Sequence, residues 1–185
     1  IMASMTDYWL KEPHNMQLSL KKSQHQSLVP RLELTLETKK YASCYDYTPC
    51  ITAEETNGEI KIRSEMELKD MMHQPSDHHV FGCLEYTVTD HYVKITGVTK
   101  ALSNTVPAFI LPVIGKHHMG ISETKEGFMI PRESGVLQIN ISNKDNIEKP
   151  QPIFCLSGGF EAWEFVIKPD ESGMLQVTIQ VEEEK

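Results

Sequence analysis

The sequence predicts an all-β protein, a single-domain antiparallel β-sandwich over residues 7–185. Three observations carry that prediction. Strict alternation of apolar and polar residues recurs along the chain, the alternating runs are separated by turn-forming residues, and no segment carries a clean helical stripe.

The elements follow in order. Residues 1–6 are set aside, because Ile1 is not a natural start and Met2-Ala3-Ser4-Met5-Thr6 looks like the opening of an expression tag. Leu18 and Leu20 begin the alternation. Leu32, Leu34 and Leu36 then alternate with Glu33, Thr35 and Glu37, the pattern of a strand with one face dry and the other wet. The same period returns at Ile60-Lys61-Ile62, at Tyr92-Val93-Lys94-Ile95, from Val136 to Ile141 and from Leu175 to Val181. Asn57-Gly58, Ser134-Gly135 and Asp170-Glu171-Ser172-Gly173 supply the positive φ or side-chain turn bonds of antiparallel connections. Between Ser64 and His73, Met66, Leu68, Met71 and Met72 fall on no common stripe, so no helix is assigned there. The stretch before Leu18 and the loops 72–77 and 143–152 are expected to fray. Ile110, Ile139 and Val177 are placed on inward faces.

Composition bounds the function. A chain of 185 residues with 39% hydrophobic content can bury a core without staples. Its 18 basic against 26 acidic residues give a net charge of −8, which argues against nucleic acid as a partner, since polyanion affinity needs a cationic surface. The longest apolar run, Val106 to Ile114, contains two prolines and is far shorter than the roughly 20 residues of a membrane span.

No constellation dictates catalysis. His78-His79, His91 and His117-His118 lie in three segments, but adjacent histidines on a strand point to opposite faces and no HxH or HExxH is present. No metal and no cofactor are expected. Cys44, Cys50, Cys83 and Cys155 include no CxxC; Cys44 and Cys50 could pair, while Cys83 and Cys155 read as small buried side chains. Ser157 lacks the strand-turn-helix setting of a nucleophile elbow, and Glu161 with Glu164 gives a carboxylate pair of unknown separation. Asn140-Ile141-Ser142 matches a glycosylation acceptor but falls within a strand.

Binding is better represented. The stretch FCLSGGFEAWEF, residues 154–165, bends at Gly158-Gly159 and returns to alternation, predicting a strand that pairs with Leu175 to Val181. Phe160 and Ala162 are read as the inward side. Trp163 and Glu161 then share the opposite face, where Trp163 is a sugar platform with Glu161 as a hydroxyl acceptor, or an anchor for a partner domain. Phe160 and Tyr92 complete the candidate ligand or interface set.

The order of features resembles the carboxy-terminal β-sandwich appended to polysaccharide lyases and related proteins of the heparinase type. The stretches that carry it are 28–47, 57–70, 79–100, FILPVIG at 109–115 and 158–181, which span most of the chain. Such a resemblance implies a domain that packs against a catalytic domain of the same polypeptide, borders a glycan cleft, and is secreted or periplasmic. It brings no catalytic residue to a numbered position here. The acidic balance departs from what an anionic glycan would require. Two rival readings stand beside it, a stand-alone structural or protein-binding β-sandwich and a small metal-dependent hydrolase built on the histidines.

Overall fold

The computed structural model describes residues 29–99, 106–116, 120–132, 135–142, 144–148, 150–156 and 160–183, together with two short strands, β1 (Trp9–Lys11) and β2 (His25–Ser27). The readings at residues 1–6, Leu18, Leu20, His117, His118, Ser134 and Ser157 to Gly159 lie outside the described residues. So do the side chains of Cys155 and Phe160.

After β1 and β2 come β3 (Arg31–Leu36), β4 (Lys39–Ala42), β5 (Cys50–Thr56), β6 (Glu59–Glu67), β7 (Phe81–Val88) and β8 (Tyr92–Thr99). The second half holds β9 (Ala108–Lys116), β10 (Ser122–Glu123), β11 (Gly127–Arg132), β12 (Gly135–Ile141), β13 (Gln151–Leu156), β14 (Phe160–Ile167) and β15 (Met174–Glu183). Two single 3-10 turns, Ser43–Tyr45 and Lys144–Asn146, are the helical content among the described residues. An eight-stranded sheet runs β10-β11-β12-β15-β8-β7-β6-β5, a five-stranded sheet runs β13-β14-β9-β3-β4, and β1 pairs with β2. Neighbouring strands are antiparallel throughout. The protein is an all-β antiparallel sandwich, as the alternation predicts.

The two sheets meet through the alternating residues. Leu137, Ile139 and Ile141 of β12, Leu175, Val177 and Ile179 of β15 and Ile95 of β8 are buried, facing a layer that includes Leu32, Leu34, Phe109, Leu111, Phe165 and Ile167. Phe128 meets Phe165 edge to face, with ring centroids 5.2 Å apart. Removing each such side chain from water is worth about 1.5–3 kcal/mol, which is why the period-2 pattern fixes register. Ile139 and Val177 are buried on inward faces, as expected; Ile110 is buried too, but on the other face of β9, out of phase with Phe109, Leu111 and Val113 and opposite Arg31 and Val166, so its inward placement is corrected.

Four further expectations need correction. First, β14 does not pair with β15: it lies between β13 and β9, whereas β15 lies between β12 and β8. The turn at 170–173 crosses from one sheet to the other. Asp170 Oδ1 accepts from Ser172 N at 2.9 Å and Met174 N at 3.0 Å, and Gly173, at φ +80°, accepts from Thr99 N at 3.0 Å. Both strands present an apolar stripe, and a stripe is satisfied equally by facing the other sheet as by joining it. Second, Cys83 is half-buried on the outer face of β7 rather than in the core. Third, Cys44 and Cys50, which could have paired, form no disulfide with each other. Fourth, the stretch 143–152 is not all loop, since it contains a 3-10 turn and the start of β13.

The larger sheet overhangs the smaller. Every residue of β5 is exposed, and Met66 is the one buried residue of β6. Ile60 lies opposite Val88 and Ile62 opposite Tyr86, on the inward side of the sheet, yet Ile60 is 40% exposed and Ile51 38%. The β5–β6 hairpin turns at Asn57 and Gly58, both at positive φ of 53° and 79°, as a two-residue hairpin loop requires.

Candidate functional site

β14 carries three of the four residues singled out from the sequence. Trp163 is opposite Val113 of β9, Glu161 opposite Gly115 and Phe165 opposite Leu111. Directly opposed residues share a face. Glu161, Trp163, Phe165 and Ile167 therefore lie on the inward side, the reverse of the assignment made from Phe160 and Ala162. Trp163 is half-buried against the core: a Cβ added to Gly115 would sit 3.8 Å from its Cδ1 and 3.4 Å from Ile130 Cγ2. Glu161 is buried, and Phe160 is described only as the first residue of β14, opposite Lys116.

The other face of β14 is buried as well, and charged. Arg31 on β3 contacts Glu33 Oε2 at 2.8 Å and Glu164 Oε2 at 3.6 Å, and Lys40 reaches Glu33 Oε1 at 2.6 Å. Burial alone would lower the Arg31 pKa, but Glu33 and Glu164 raise it; burial would raise the Glu33 carboxyl, but Arg31 and Lys40 hold it below its usual value.

Tyr92, the fourth residue, is on the other sheet. It opens β8 opposite Gln180 of β15, in a shallow depression with Thr89, Asp90, His91 and Val181. Gln180 Nε2 donates to Gln138 Oε1 at 2.8 Å. The structure does not bring Tyr92 together with Trp163. Among the described residues no group of three or more His, Cys, Asp or Glu side chains could hold a metal ion. His79 instead contacts Glu67 Oε1 through Nδ1 at 2.7 Å, and His73 stacks on Tyr47 with centroids 4.1 Å apart.

A further site was missed from the sequence. Where β5 starts and β8 ends, the outer face of the eight-stranded sheet holds an open depression of about 640 Å³, lined in part by Asp46, Arg63, Glu65, Lys69, Phe81 and Val98. Register explains its composition. Gly82, Leu84 and Tyr86 share the inward face of β7, so Phe81 and Cys83 point outward, beside Glu67 and Glu65 of β6 and Val98 of β8. Phe81 is 56% exposed, Val98 44% and Met174, opposite Val98, 47%. The signal was legible: Phe81 is out of phase with Leu84 and Tyr86.

Polar groups around this depression are held in place. Arg63 donates to Glu65 Oε1 from Nε at 3.1 Å and from Nη2 at 2.8 Å. Asp46 accepts from Lys69 Nζ at 2.8 Å, from Thr48 N at 3.0 Å and, through its second oxygen, from Glu67 N at 2.9 Å. Burial would raise the Asp46 carboxyl, but Lys69 and these N–H donors overcome it and hold it below its usual value. Burial raises the Cys83 thiol, which the nearby Arg63 only partly offsets.

Comparison with known proteins places the chain. The family model of the ulvan lyase C-terminal domain matches residues 1–182, nearly the whole chain. No curated protein and no solved structure matches. The resemblance to a polysaccharide lyase carboxy-terminal sandwich is upheld by this family match, and the chain belongs to the family of ulvan lyase C-terminal domains.

Proposed function

We propose that the chain is the noncatalytic accessory domain of an exported polysaccharide lyase, secreted or periplasmic, that packs against the catalytic domain of the same polypeptide and touches its polysaccharide, which the family's name gives as ulvan. The observation that carries this reading is the match of residues 1–182 to a lyase C-terminal domain. No helix among the described residues is long and apolar enough to cross a membrane.

The β5–β6 overhang supports the packing half of the proposal. Ile51, Ala53, Ile60 and Ile62 form an apolar strip that the five-stranded sheet does not cover, and a neighbouring domain would complete the sandwich there. On this reading Tyr92, on the polar outer face of the large sheet, contacts sugar, and Trp163, half-buried against the core, offers a neighbouring domain only the part of its indole that the core leaves uncovered, while the buried Glu161 offers it little surface.

Amide hydrogen exchange of residues 50–66 tests it, comparing this chain with the full-length lyase. Protection gained at β5 and β6 in the full-length protein is the expected result. Equal exchange in the two would show that the overhang stays uncovered and would remove the support for packing.

A further inference from the structure

The depression at Phe81 has the makings of a ligand site, and we propose that it binds uncharged sugar units of the lyase's polysaccharide. The proposal rests on the accessory-domain reading for the identity of the polymer and goes beyond it in naming the site and the chemistry recognised.

Three features point this way. Cys83 and Val98 lie opposite one another on β7 and β8 and line the depression, and the exposed Met174 of β15, opposite Val98, continues this apolar row beyond it, about 10 Å in all at the usual spacing of strands. Phe81 stands beside Val98, giving the C–H face of a pyranose ring an aromatic surface to stack on. A depression of about 640 Å³ is of ligand size.

Rim groups supply the second feature. Glu65 Oε1 accepts from Arg63 and Glu67 Oε1 contacts His79 Nδ1, so each carboxylate is oriented through one of its oxygens. Fixed carboxylates, guanidinium and ammonium groups suit the paired donor and acceptor character of vicinal hydroxyls. Little side-chain entropy is lost on binding when the geometry is already set.

Charge is the third. Two cations, Arg63 and Lys69, stand against three carboxylates, Asp46, Glu65 and Glu67, and each cation already contacts a carboxylate. A sulfate or uronate would meet net negative potential here, whereas an uncharged sugar would not. A protein segment is the less suitable occupant, because the buried centres of protein interfaces are depleted in charged residues and this floor is ringed by them.

Affinity electrophoresis of the chain in native gels containing ulvan tests the proposal, with melting temperatures as a check on folding. Retardation of the wild type is expected to persist from about 0.05 to about 0.5 M salt, since screening weakens charge contacts and spares stacking. Phe81→Ala should weaken retardation about tenfold, the size of one aromatic contact, with little change in melting temperature, and Phe81→Trp should preserve it. Absent retardation, retardation abolished by salt, or retardation indifferent to Phe81→Ala would each overturn the site. The accessory-domain reading would stand in those cases if β5 and β6 still gain protection in the full-length lyase. Protection gained at residues 81–83 and 98 in the full-length lyase without sugar would instead make this surface a domain contact and likewise overturn the proposal.

Discussion

At the scale of single residues, position on the pleat decides whether a side chain stabilises or recognises. Ile139 and Ile110 are buried between or beneath strands, so Ile139→Ala and Ile110→Ala should each cost about 2–4 kcal/mol in denaturant melts, combining lost burial with a cavity. Phe81 is a larger side chain on an equally regular strand, yet its loss should hardly move the melt, because more than half of it already faces water. Trp163 falls between the two. Its indole packs over Gly115 and beside Ile130, so Trp163→Ala should lower stability by about 1–3 kcal/mol; an unchanged melt would mean that the indole contributes through a partner rather than through the core. The sequence alone could identify Trp163 as notable but not its side of the sheet. Glu161 and Glu164 are both buried, on opposite faces, so polar residues did not mark one wet face as Gln138 and Asn140 do in β12, and the phase of β14 could not be read from polarity.

At the scale of elements, alternation reveals strands but not their partners. The stripes of β12 and β15 were legible because Gln, Asn and Thr separate Leu, Val and Ile, and these two strands do pair. β14 and β15 looked like a hairpin for the same reason, and the chain instead crosses between sheets at Asp170 to Gly173. Charged side chains that hold elements together are accessible to test. Arg31, paired with Glu33 on its own strand, joins β3 to β14 through Glu164, so Arg31→Met should cost about 3–5 kcal/mol by leaving buried carboxylates without their guanidinium. Asp46 ties the segment before β5 to the end of β6. Its folded carboxyl is held below the unfolded value of about 3.9, so its contribution is complete above that pH and is lost as pH falls through the lower, folded value. The stability difference between wild type and Asp46→Asn, followed by melting temperature against pH, should therefore be constant near neutrality and shrink on the acid side of about pH 4. A difference that grows on acidification would contradict the assigned direction.

At the scale of the whole molecule, an eight-stranded sheet laid on a five-stranded one cannot be equally stable everywhere. The centre of the larger sheet, β12, β15 and β8, is flanked by strands on both sides and faces Phe109, Leu111 and Phe165 across the core. β5 is an edge strand with every residue exposed, joined to the rest through β6 alone. Opening the β5–β6 hairpin therefore exposes little apolar surface, while opening β15 unpairs two strands and empties the core. Native-state hydrogen exchange of this chain should resolve that gradient: amides of β5 and the first half of β6 should exchange through local opening, whereas those of Ile139, Val177 and Ile95 should exchange only with global unfolding. Mild denaturant distinguishes the two, since exchange by local opening is nearly independent of denaturant and global exchange accelerates with it. If β5 were as protected as β15 in the isolated chain, the hairpin would need no neighbour to complete it, and its apolar strip would no longer argue for a domain packed alongside.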